Sequence, residues 1–493
     1  MLRETLFAYL LGSGPAADAF FAATRIPNLL RDLFAEGALG AAFVPVISEK
    51  LASHNPEEAF GVVRRMMVAM ALIVGLAVAL GIIFAPFLVK SLAPGFAATP
   101  GKTELTTQLV RWTFPYLWLI SLSALIAGTL NSLRRFGVPA SAPILFNVGH
   151  IATAVAFYSV FDPPVVALAL GVTVGAAAQL VFQWPALRRA GFRFRFSAPW
   201  KDADVKRVFK LMLPVTVGLA ALQLNNLVTT IIASFLPDGS LSYLNYAFRL
   251  MHFPLGVVAV AVGTAILPRA STAVFEDDRP ALLKIYNEGL ITTTMLVVPA
   301  AMFLVLFSEL IVAAVYQRGA FLAIDSVHAG AALRMYALGL LGYAGVRVTA
   351  PFFYAHKDTR TPMRFALVAV VVNVVANVAL AKPLGFAGLA LANALAGSLN
   401  YLLLRRQLKL KYGVLQSAES IRHAFTTLLD CSIAGGLIYL VFECTGTDLT
   451  AMDSSSRLGL CALIGVLFMA GSLWRVLLPN SIQRKTMARM LGR

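Results

Sequence analysis

The chain has 493 residues, of which 59% are hydrophobic and only 13% are charged, and its mean hydropathy is +0.77. Soluble domains carry about 25% charged residues, so this composition argues against a soluble protein and indicates a chain that folds in lipid. The formal net charge of +17 is not a nucleic-acid footprint, because no soluble basic domain or aromatic-basic module accompanies it.

Apolar windows long enough to cross a bilayer, about 20 residues each, recur along the whole chain. They are continuous rather than alternating, which predicts helices and not barrel strands. Fourteen spans are predicted, centred near residues 5, 43, 77, 121, 150, 175, 222, 257, 299, 344, 373, 396, 432 and 466. The expected fold is therefore an all-α polytopic membrane protein with 14 transmembrane helices. The first span is too short to cross a bilayer, so it is either an interfacial helix or, as we expect, a truncated helix 1.

The basic residues predict the orientation of these helices. With both termini in the cytoplasm, 29 of the 41 Lys and Arg residues fall in cytoplasmic connections and nine fall on the opposite side. Basic residues concentrate on the cytoplasmic side of membrane proteins. Both termini are therefore predicted to be cytoplasmic, and the positive charge to face anionic inner-leaflet lipid.

An internal repeat is predicted from two landmarks. GALGAAFVPVISE (37–49) resembles AVAVGTAILPRAS (259–271), and GTLNSLRRFGVPASAP (128–143) resembles FFYAHKDTRTPMRFAL (352–367). The paired prolines, Pro45 with Pro268 and Pro139 with Pro362, share a shift of 223 residues. Six helices separate the copies, so the repeat is parallel, an arrangement typical of transporters with a substrate path between two halves.

The repeat predicts the domain organisation. We expect an N-terminal six-helix lobe at 1–190 and a C-terminal six-helix lobe at 211–411, joined by a basic cytoplasmic linker at 191–210. Two additional helices at 421–478 and a basic cytoplasmic tail at 479–493 follow the second lobe. The two lobes are expected to be pseudo-symmetric, with the two additional helices outside the repeat.

Charged residues inside membrane helices are costly and often mark a substrate path. Arg249 has no acidic residue at helical spacing, so it either snorkels to the interface or binds an anion in a central cavity. The repeat shift carries Arg25 to position 248, next to Arg249. Arg3 is a third cationic site, unless it only pairs with the adjacent Glu4.

Arg31 precedes Asp32 directly. Neighbouring side chains on a helix point apart, so this pair is not expected to neutralise itself. Uncompensated arginines between two halves would line a positive cavity, and the planar guanidinium binds diphosphate or carboxylate oxygens bidentately. The inferred substrate is anionic, with a phosphate ester favoured.

Other polar residues give weaker signals. Asn373 and Asn377 lie four residues apart on one predicted helix and Asn393 lies on the next. They either hydrogen-bond neighbouring helices or offer amide oxygens to a cation.

The sequence contains no phosphate-loop glycine motif, HExxH motif or nucleophile elbow. Without an ATP site, an ion gradient, the membrane potential or the substrate gradient would have to drive transport. The three cysteines lack metal-ligand spacing and are interpreted as apolar filler: Cys431, Cys444 and Cys461.

The stretch DAFFAATRIPNLLRDLFAEGALGAAFVPVISE (18–49) resembles the opening of the MurJ (MviN) lipid II flippases, in the MOP (multidrug/oligosaccharidyl-lipid/polysaccharide) exporter superfamily. APGF (93–96), NSLRRFGVPASAP (131–143) and the stretch 231–268 resemble the same family. The resemblance implies a flippase that moves undecaprenyl-diphosphate-linked peptidoglycan precursor from the cytoplasmic to the periplasmic leaflet of the bacterial inner membrane. It also implies that the two additional helices form a groove for the lipid tail.

The family's functional positions can be matched to this chain. The resemblance implies diphosphate-sugar binding by Arg3, Arg31 and Arg249. It implies supporting roles in the cavity or motif for Glu4, Asp18, Arg25, Asn28 and Glu36. Some members bind sodium with acidic residues where this chain has Thr229 and Asn377, so a cation site at Thr229, Asn373, Asn377 and Asn393 is a weak expectation.

The expected substrate is lipid II, with no cofactor apart from coupling to sodium or to the membrane potential. Expected partners are membrane lipids and other cell-wall synthesis proteins, and the protein is expected to be a monomer that does not bind nucleic acid. One alternative is a cation-coupled exporter of another oligosaccharide-lipid or of drugs on the same fold, although arginines in the cavity disfavour cationic drugs. A membrane-embedded glycosyltransferase is a further alternative, but it would need a catalytic acid or histidine cluster, and the sequence offers none.

Overall fold

The computed structural model describes residues 2–32, 38–52, 56–200, 202–256, 260–414, 416–445 and 453–473. The described residues form nineteen α-helices and a short 3-10 turn, and no β-strand is found among them. The all-α prediction is confirmed. The centre of the predicted span at 257 lies outside the described residues, and the described parts on either side belong to two helices, Ser240–Pro254 and Val260–Phe275.

The first ten helices are α1 Leu2–Leu11, α2 Pro15–Arg31, α3 Ala38–Ala52, α4 Pro56–Ile83, α5 Ala85–Leu92, α6 Lys102–Thr113, α7 Pro115–Ser132, α8 Gly137–Phe157, α9 Val165–Arg189 and α10 Ala203–Ser234. The remaining helices are α11 Ser240–Pro254, α12 Val260–Phe275, α13 Arg279–Leu306, α14 Ser308–Tyr316, α15 Ala323–Ala337, α16 Leu340–Ala355, α17 Arg360–Tyr412, α18 Ala418–Thr445 and α19 Ser454–Leu473.

Seven helical stretches of the described chain are long and apolar enough to cross a membrane. They are Glu57–Ile83, Lys102–Ser132, Gly137–Phe157, Val165–Arg189, Arg279–Leu306, Ala323–Ala355 and Arg360–Tyr412. The last of these joins two predicted spans. It turns at Gly385, whose φ of 56° and ψ of −138° lie in a region that side-chain-bearing residues rarely adopt.

The 223-residue repeat is visible in the element boundaries. Adding the shift to α4, Pro56–Ile83, gives 279–306, the bounds of α13. Adding it to α9, Val165–Arg189, gives 388–412, the part of α17 that follows the turn. Arg134 and Lys357, also 223 residues apart, share a left-handed backbone with φ of 59° and 58°. The duplication therefore preserved local backbone geometry as well as helix length.

Packing contacts divide the chain into two compact units. The first comprises residues 1–6 and 14–241, and the second comprises 7–13 and 242–493. Helix α10, predicted as the first helix of the C-terminal lobe, packs against α3 in the first unit. The predicted domain boundaries at 190, 211, 411, 421 and 478 stay predictions.

Helices in the first unit approach closely where their side chains are small. A Cβ on Gly175 of α9 would lie 2.5 Å from the Phe146 carbonyl oxygen of α8. Such small-residue contacts are a common basis of helix packing in membranes, where burial of apolar surface gives no net drive.

The core of the second unit forms around aromatic side chains of α13 and α16. Tyr286, Phe352 and Phe353 are fully buried there, and Leu404 and Leu408 of α17 join them. Helices α18 and α19 pack against α13 and against each other. Their predicted role as a groove for the lipid tail stays a prediction.

Candidate functional site

Arg3 lies on α1 beside its sequence neighbour Glu4. Its Nη2 donates to Glu4 Oε1 at 2.6 Å, and its guanidinium carbon lies 5.8 Å from the centre of the Phe146 ring. The Glu4 side chain is buried and Arg3 is half-buried. The local ion pair, one of the two interpretations from sequence, is therefore present, and it offsets part of the Arg3 charge.

Helix α2 carries Arg25 and Arg31 on a stretch that could have been a solvated loop. It begins with Pro15 at its first position, which suits the fixed φ of proline and its missing N–H. Arg25 Nε donates to the Thr230 hydroxyl of α10 at 3.0 Å. This bond joins α2 to α10 within the first unit.

Arg31 and Asp32 form an ion pair. Arg31 Nε and Nη2 both donate to Asp32 Oδ1, at 3.0 and 2.7 Å, so the prediction that these neighbours point apart is wrong. Arg31 Nη1 also donates to the Tyr116 hydroxyl at 3.2 Å, and Gln223 Nε2 donates to Asp32 Oδ2 at 2.6 Å. Arg31 is thus held by partners from α2 and α7, while 30% of its side chain stays exposed.

Asp18 is held in a buried charge cluster. Its side chain on α2 is 2% exposed, and Oδ2 accepts from Lys102 Nζ at 3.0 Å and from the Gly239 backbone N–H at 2.8 Å. Lys102 Nζ also donates to Asp238 Oδ1 at 2.6 Å and lies 4.0 Å from the centre of the Phe96 ring. The sequence interpretation missed Lys102 as the partner, because 84 residues separate it from Asp18 and no local pattern links them.

Arg249 belongs to the second unit. It lies on α11 and its side chain is exposed. Asn28 lies half-buried on α2, and Glu36 is outside the described residues. The assignment of Arg3, Arg31 and Arg249 to the diphosphate-sugar head stays a prediction.

The four residues of the candidate cation site form separate hydrogen bonds. The Thr229 hydroxyl donates to the Asn225 carbonyl at 3.0 Å in the first unit. In the second unit Asn377 Nδ2 donates to Asn373 Oδ1 at 2.6 Å, and the Tyr343 hydroxyl donates to Asn393 Oδ1. Asn373 Oδ1 and Asn393 Oδ1 each accept a hydrogen bond, and the cation site stays a prediction.

Carboxylates and imidazoles are also dispersed. Among the residues that the structure describes, no group of three or more His, Cys, Asp or Glu is placed to hold a metal ion. Several charged side chains occur as acid–base pairs, as in Arg3–Glu4 and Lys102–Asp18. Such pairs keep arginine and lysine charged inside an apolar chain.

Seven membrane-length apolar stretches, helix bounds that recur at a shift of 223 residues and half-buried arginines on α1 and α2 are the features of a multi-pass membrane transporter. The structure aligns with "Inward-facing conformation of a multidrug resistance MATE family transporter of the MOP superfamily" at a TM-score of 0.69 and 14% identity, covering 84% of this chain and 93% of that one. At this identity the likeness supports the fold alone.

The chain belongs to the MurJ family. The family model described as "Lipid II flippase MurJ" matches residues 7–457. "Probable lipid II flippase MurJ" of Vibrio cholerae is 33% identical over 473 residues, covering 94% of this chain and 90% of the relative. "Lipid II flippase MurJ" of Burkholderia cenocepacia is 33% identical over 482 residues, with 96% and 93% covered.

A solved structure of the same family supports this membership. "Lipid II flippase MurJ, inward closed conformation" aligns with a TM-score of 0.80 and 26% identity, over 100% of this chain and 96% of that one. The predicted family resemblance is confirmed, and the chain is a multi-pass protein of the bacterial inner membrane.

Proposed function

We propose that this protein translocates lipid II, the undecaprenyl-diphosphate-linked peptidoglycan precursor, from the cytoplasmic to the periplasmic leaflet by alternating access. The observation that carries the proposal is family membership over residues 7–457, which includes both repeat copies. The relatives named lipid II flippases cover most of this chain and align over most of their own length.

Arg31 is the residue best placed to bind the diphosphate. Its guanidinium pairs with Asp32 but keeps 30% of its side chain exposed, so a ligand can reach it. A diphosphate carries more negative charge than one carboxylate and matches the planar guanidinium bidentately. The substrate would therefore compete with Asp32 for Arg31.

Asp32 acts as a counterion while the substrate is absent. Gln223 donates to its second oxygen at 2.6 Å, so Asp32 keeps a partner when Arg31 turns to the substrate. Because Asp32 and the substrate alternate as partners of Arg31, the guanidinium is never left unpaired away from water. An unpaired charge in a low-dielectric site is strongly unfavourable in free energy. Glu4 can serve Arg3 in the same way, and exposed Arg249 would supply a further contact.

The remaining parts of the proposal concern orientation and energy. The 29-to-nine distribution of basic residues supports a cytoplasmic location of both termini. The protein acts as a transporter without a catalytic step, working as a monomer. Its coupling comes from sodium or from the membrane potential.

Complementation tests the proposal. The gene should restore growth to cells depleted of their own lipid II flippase, and Arg31→Ala and Arg249→Ala should fail to do so. A hydrogen bond to a charged group contributes about 1.5–3 kcal/mol, so each alanine variant should weaken substrate binding by roughly tenfold or more. Arg31→Lys should be intermediate, because it keeps the charge and loses the bidentate fork.

Arg111→Ala is the matched control, since Arg111 is an exposed arginine of α6. It should complement like the unmodified protein at equal membrane abundance. Failure of the unmodified protein to prevent lysis would overturn the flippase assignment. Growth supported by both Arg31→Ala and Arg249→Ala would overturn the arginine mechanism alone.

A further inference from the structure

A basic cleft lies at the last two turns of α17 in the second unit. Its volume is about 390 Å³, within the range of small-ligand sites. We call it the α17 cleft. It is lined by Leu402, Arg405, Arg406, Lys409, Val414 and Gln416.

Three basic side chains give the α17 cleft its positive charge. Arg405 and Lys409 are four residues apart, so they lie on one face of the helix, with Arg406 beside them. In the part of the chain that the structure describes, none of the three has a carboxylate oxygen within ion-pair distance. Lys411, two residues further on, is instead paired with Asp358 at 2.6 Å. The cleft therefore concentrates positive charge that nearby acids do not balance.

This charge is not a requirement of the fold. The repeat shift carries Arg405, Arg406 and Lys409 of the second copy onto Phe182, Gln183 and Ala186 of the first. The same helix thus forms without a basic residue at any of these positions.

The helix dipole also fails to explain the cluster. Basic residues are favoured in the last turn of a helix, near its negative end. Lys409 lies in the last turn of α17, but Arg405 and Arg406 precede it by about one turn, where the dipole effect has faded. The dipole therefore accounts for Lys409 and not for the two arginines.

An apolar side chain in the cleft indicates the source of the anion. Leu402 lines the cleft, precedes the basic residues on α17 and is 54% exposed. It lies on a helix that is apolar enough to cross the membrane. A free phosphate ion would gain nothing from this leucine, whereas an acyl chain of a lipid would cover it.

We propose that the α17 cleft binds the phosphate headgroup of an anionic membrane phospholipid, with its acyl chains along Leu402. Arg405 is half-buried and Arg406 and Lys409 are exposed, so the guanidinium of Arg405 forms the inner contact and the other two close over the headgroup. The predicted orientation places this end of α17 at the cytoplasmic leaflet, where anionic lipids attract basic clusters. The site is separate from the arginines of α1 and α2.

The test measures lipid retention by the full-length protein purified in detergent. Native mass spectrometry would compare added phosphatidylglycerol with phosphatidylcholine for the unmodified protein and for the Arg405→Gln, Arg406→Gln double variant. Each basic side chain near an anionic surface raises the binding affinity by a factor of about five. The double variant should therefore bind phosphatidylglycerol roughly thirtyfold more weakly. Binding of phosphatidylcholine should not change.

The matched control is the double variant Arg188→Gln, Arg189→Gln. These arginines are also adjacent, exposed and located at a helix end, but they lie outside the α17 cleft. The control should retain phosphatidylglycerol like the unmodified protein. An equal loss in both double variants would mean general surface attraction and would overturn the proposal.

A competition experiment and a single variant complete the test. Glycerol 3-phosphate should not displace bound phosphatidylglycerol, because it lacks the acyl chains; displacement at similar concentrations would overturn the assignment to a lipid. If the Arg405→Gln, Arg406→Gln protein does not fold, Lys409→Gln, which changes one exposed residue, should still lower binding about fivefold. Unchanged binding in that variant would count against the site.

Discussion

The two repeat copies place opposite charges at one position. Lys102 at the start of α6 and Asp325 at the start of α15 are 223 residues apart, and both are buried. Lys102 lies between the carboxylates of Asp18 and Asp238. Asp325 accepts hydrogen bonds from the Leu322 N–H at 2.8 Å, from the Tyr243 hydroxyl at 3.2 Å and from the Ser13 hydroxyl.

The difference follows from the helix dipole. The N-terminus of a helix carries a partial positive charge that repels a cation and stabilises an anion. Lys102 therefore needs two carboxylates and the face of Phe96, whereas Asp325 is satisfied by a backbone N–H and two hydroxyls. Among the described residues no basic side chain pairs with Asp325. Duplication preserved the backbone, and each copy stabilises its buried charge with a different set of partners.

The largest expected effect is the loss of Lys102. In Lys102→Met the Asp18 carboxylate stays buried and loses its cation, which should cost about 3–5 kcal/mol of stability. The apparent melting temperature of the protein in detergent should fall markedly. Lys90→Met is the control, because Lys90 is exposed, and it should melt like the unmodified protein. An unchanged melting temperature in Lys102→Met would mean that the buried pair contributes nothing to stability.

A smaller effect is expected from Asp325→Asn. Asparagine keeps an acceptor for Leu322 but loses the charge that strengthens these hydrogen bonds, so the loss should be about 1–2 kcal/mol. The same melting measurement should rank this variant between Lys102→Met and the unmodified protein. Asp277→Asn, at an exposed aspartate, should have no effect. A loss larger than that of Lys102→Met would contradict the dipole explanation.

The smallest effect concerns Asp358, whose repeat equivalent is Arg135. Burial raises the pKa of the Asp358 carboxyl, but hydrogen bonds from Lys411, Thr361 and Tyr412 together outweigh it and hold the pKa below its usual value. A carboxylate with a lowered pKa stabilises the fold above the unfolded pKa, near about 4, and loses this contribution as the pH falls through the folded pKa.

Asp358→Asn should therefore melt slightly below the unmodified protein at neutral pH, by up to about 1 kcal/mol because Lys411 is partly solvated. The gap should narrow when the melting curves are repeated in acid. A gap that stays constant between neutral and acidic pH would show that the charge of Asp358 does not stabilise this turn.

The sequence by itself determined the class of protein, the helices and the duplication. Continuous apolar runs can bury their backbone polar groups in lipid only as helices, so α4, α9 and α13 follow from composition. The repeat shift was readable from Pro45 and Pro268, because proline placement is a local constraint on the backbone. Family membership followed from the motif at 18–49, which lies on α2, α3 and the residues between them.

Only the tertiary structure decided which charges are paired. Lys102 meets Asp18 from 84 residues away, and Gln223 meets Asp32 from 191 residues away, through helix packing that no local pattern encodes. The sequence neighbours Arg31 and Asp32 also form an ion pair, against expectation, because long side chains at a helix end can bend past the backbone. Pairing in a low-dielectric interior depends on distances of a few ångströms between helices, and helix packing alone sets those distances.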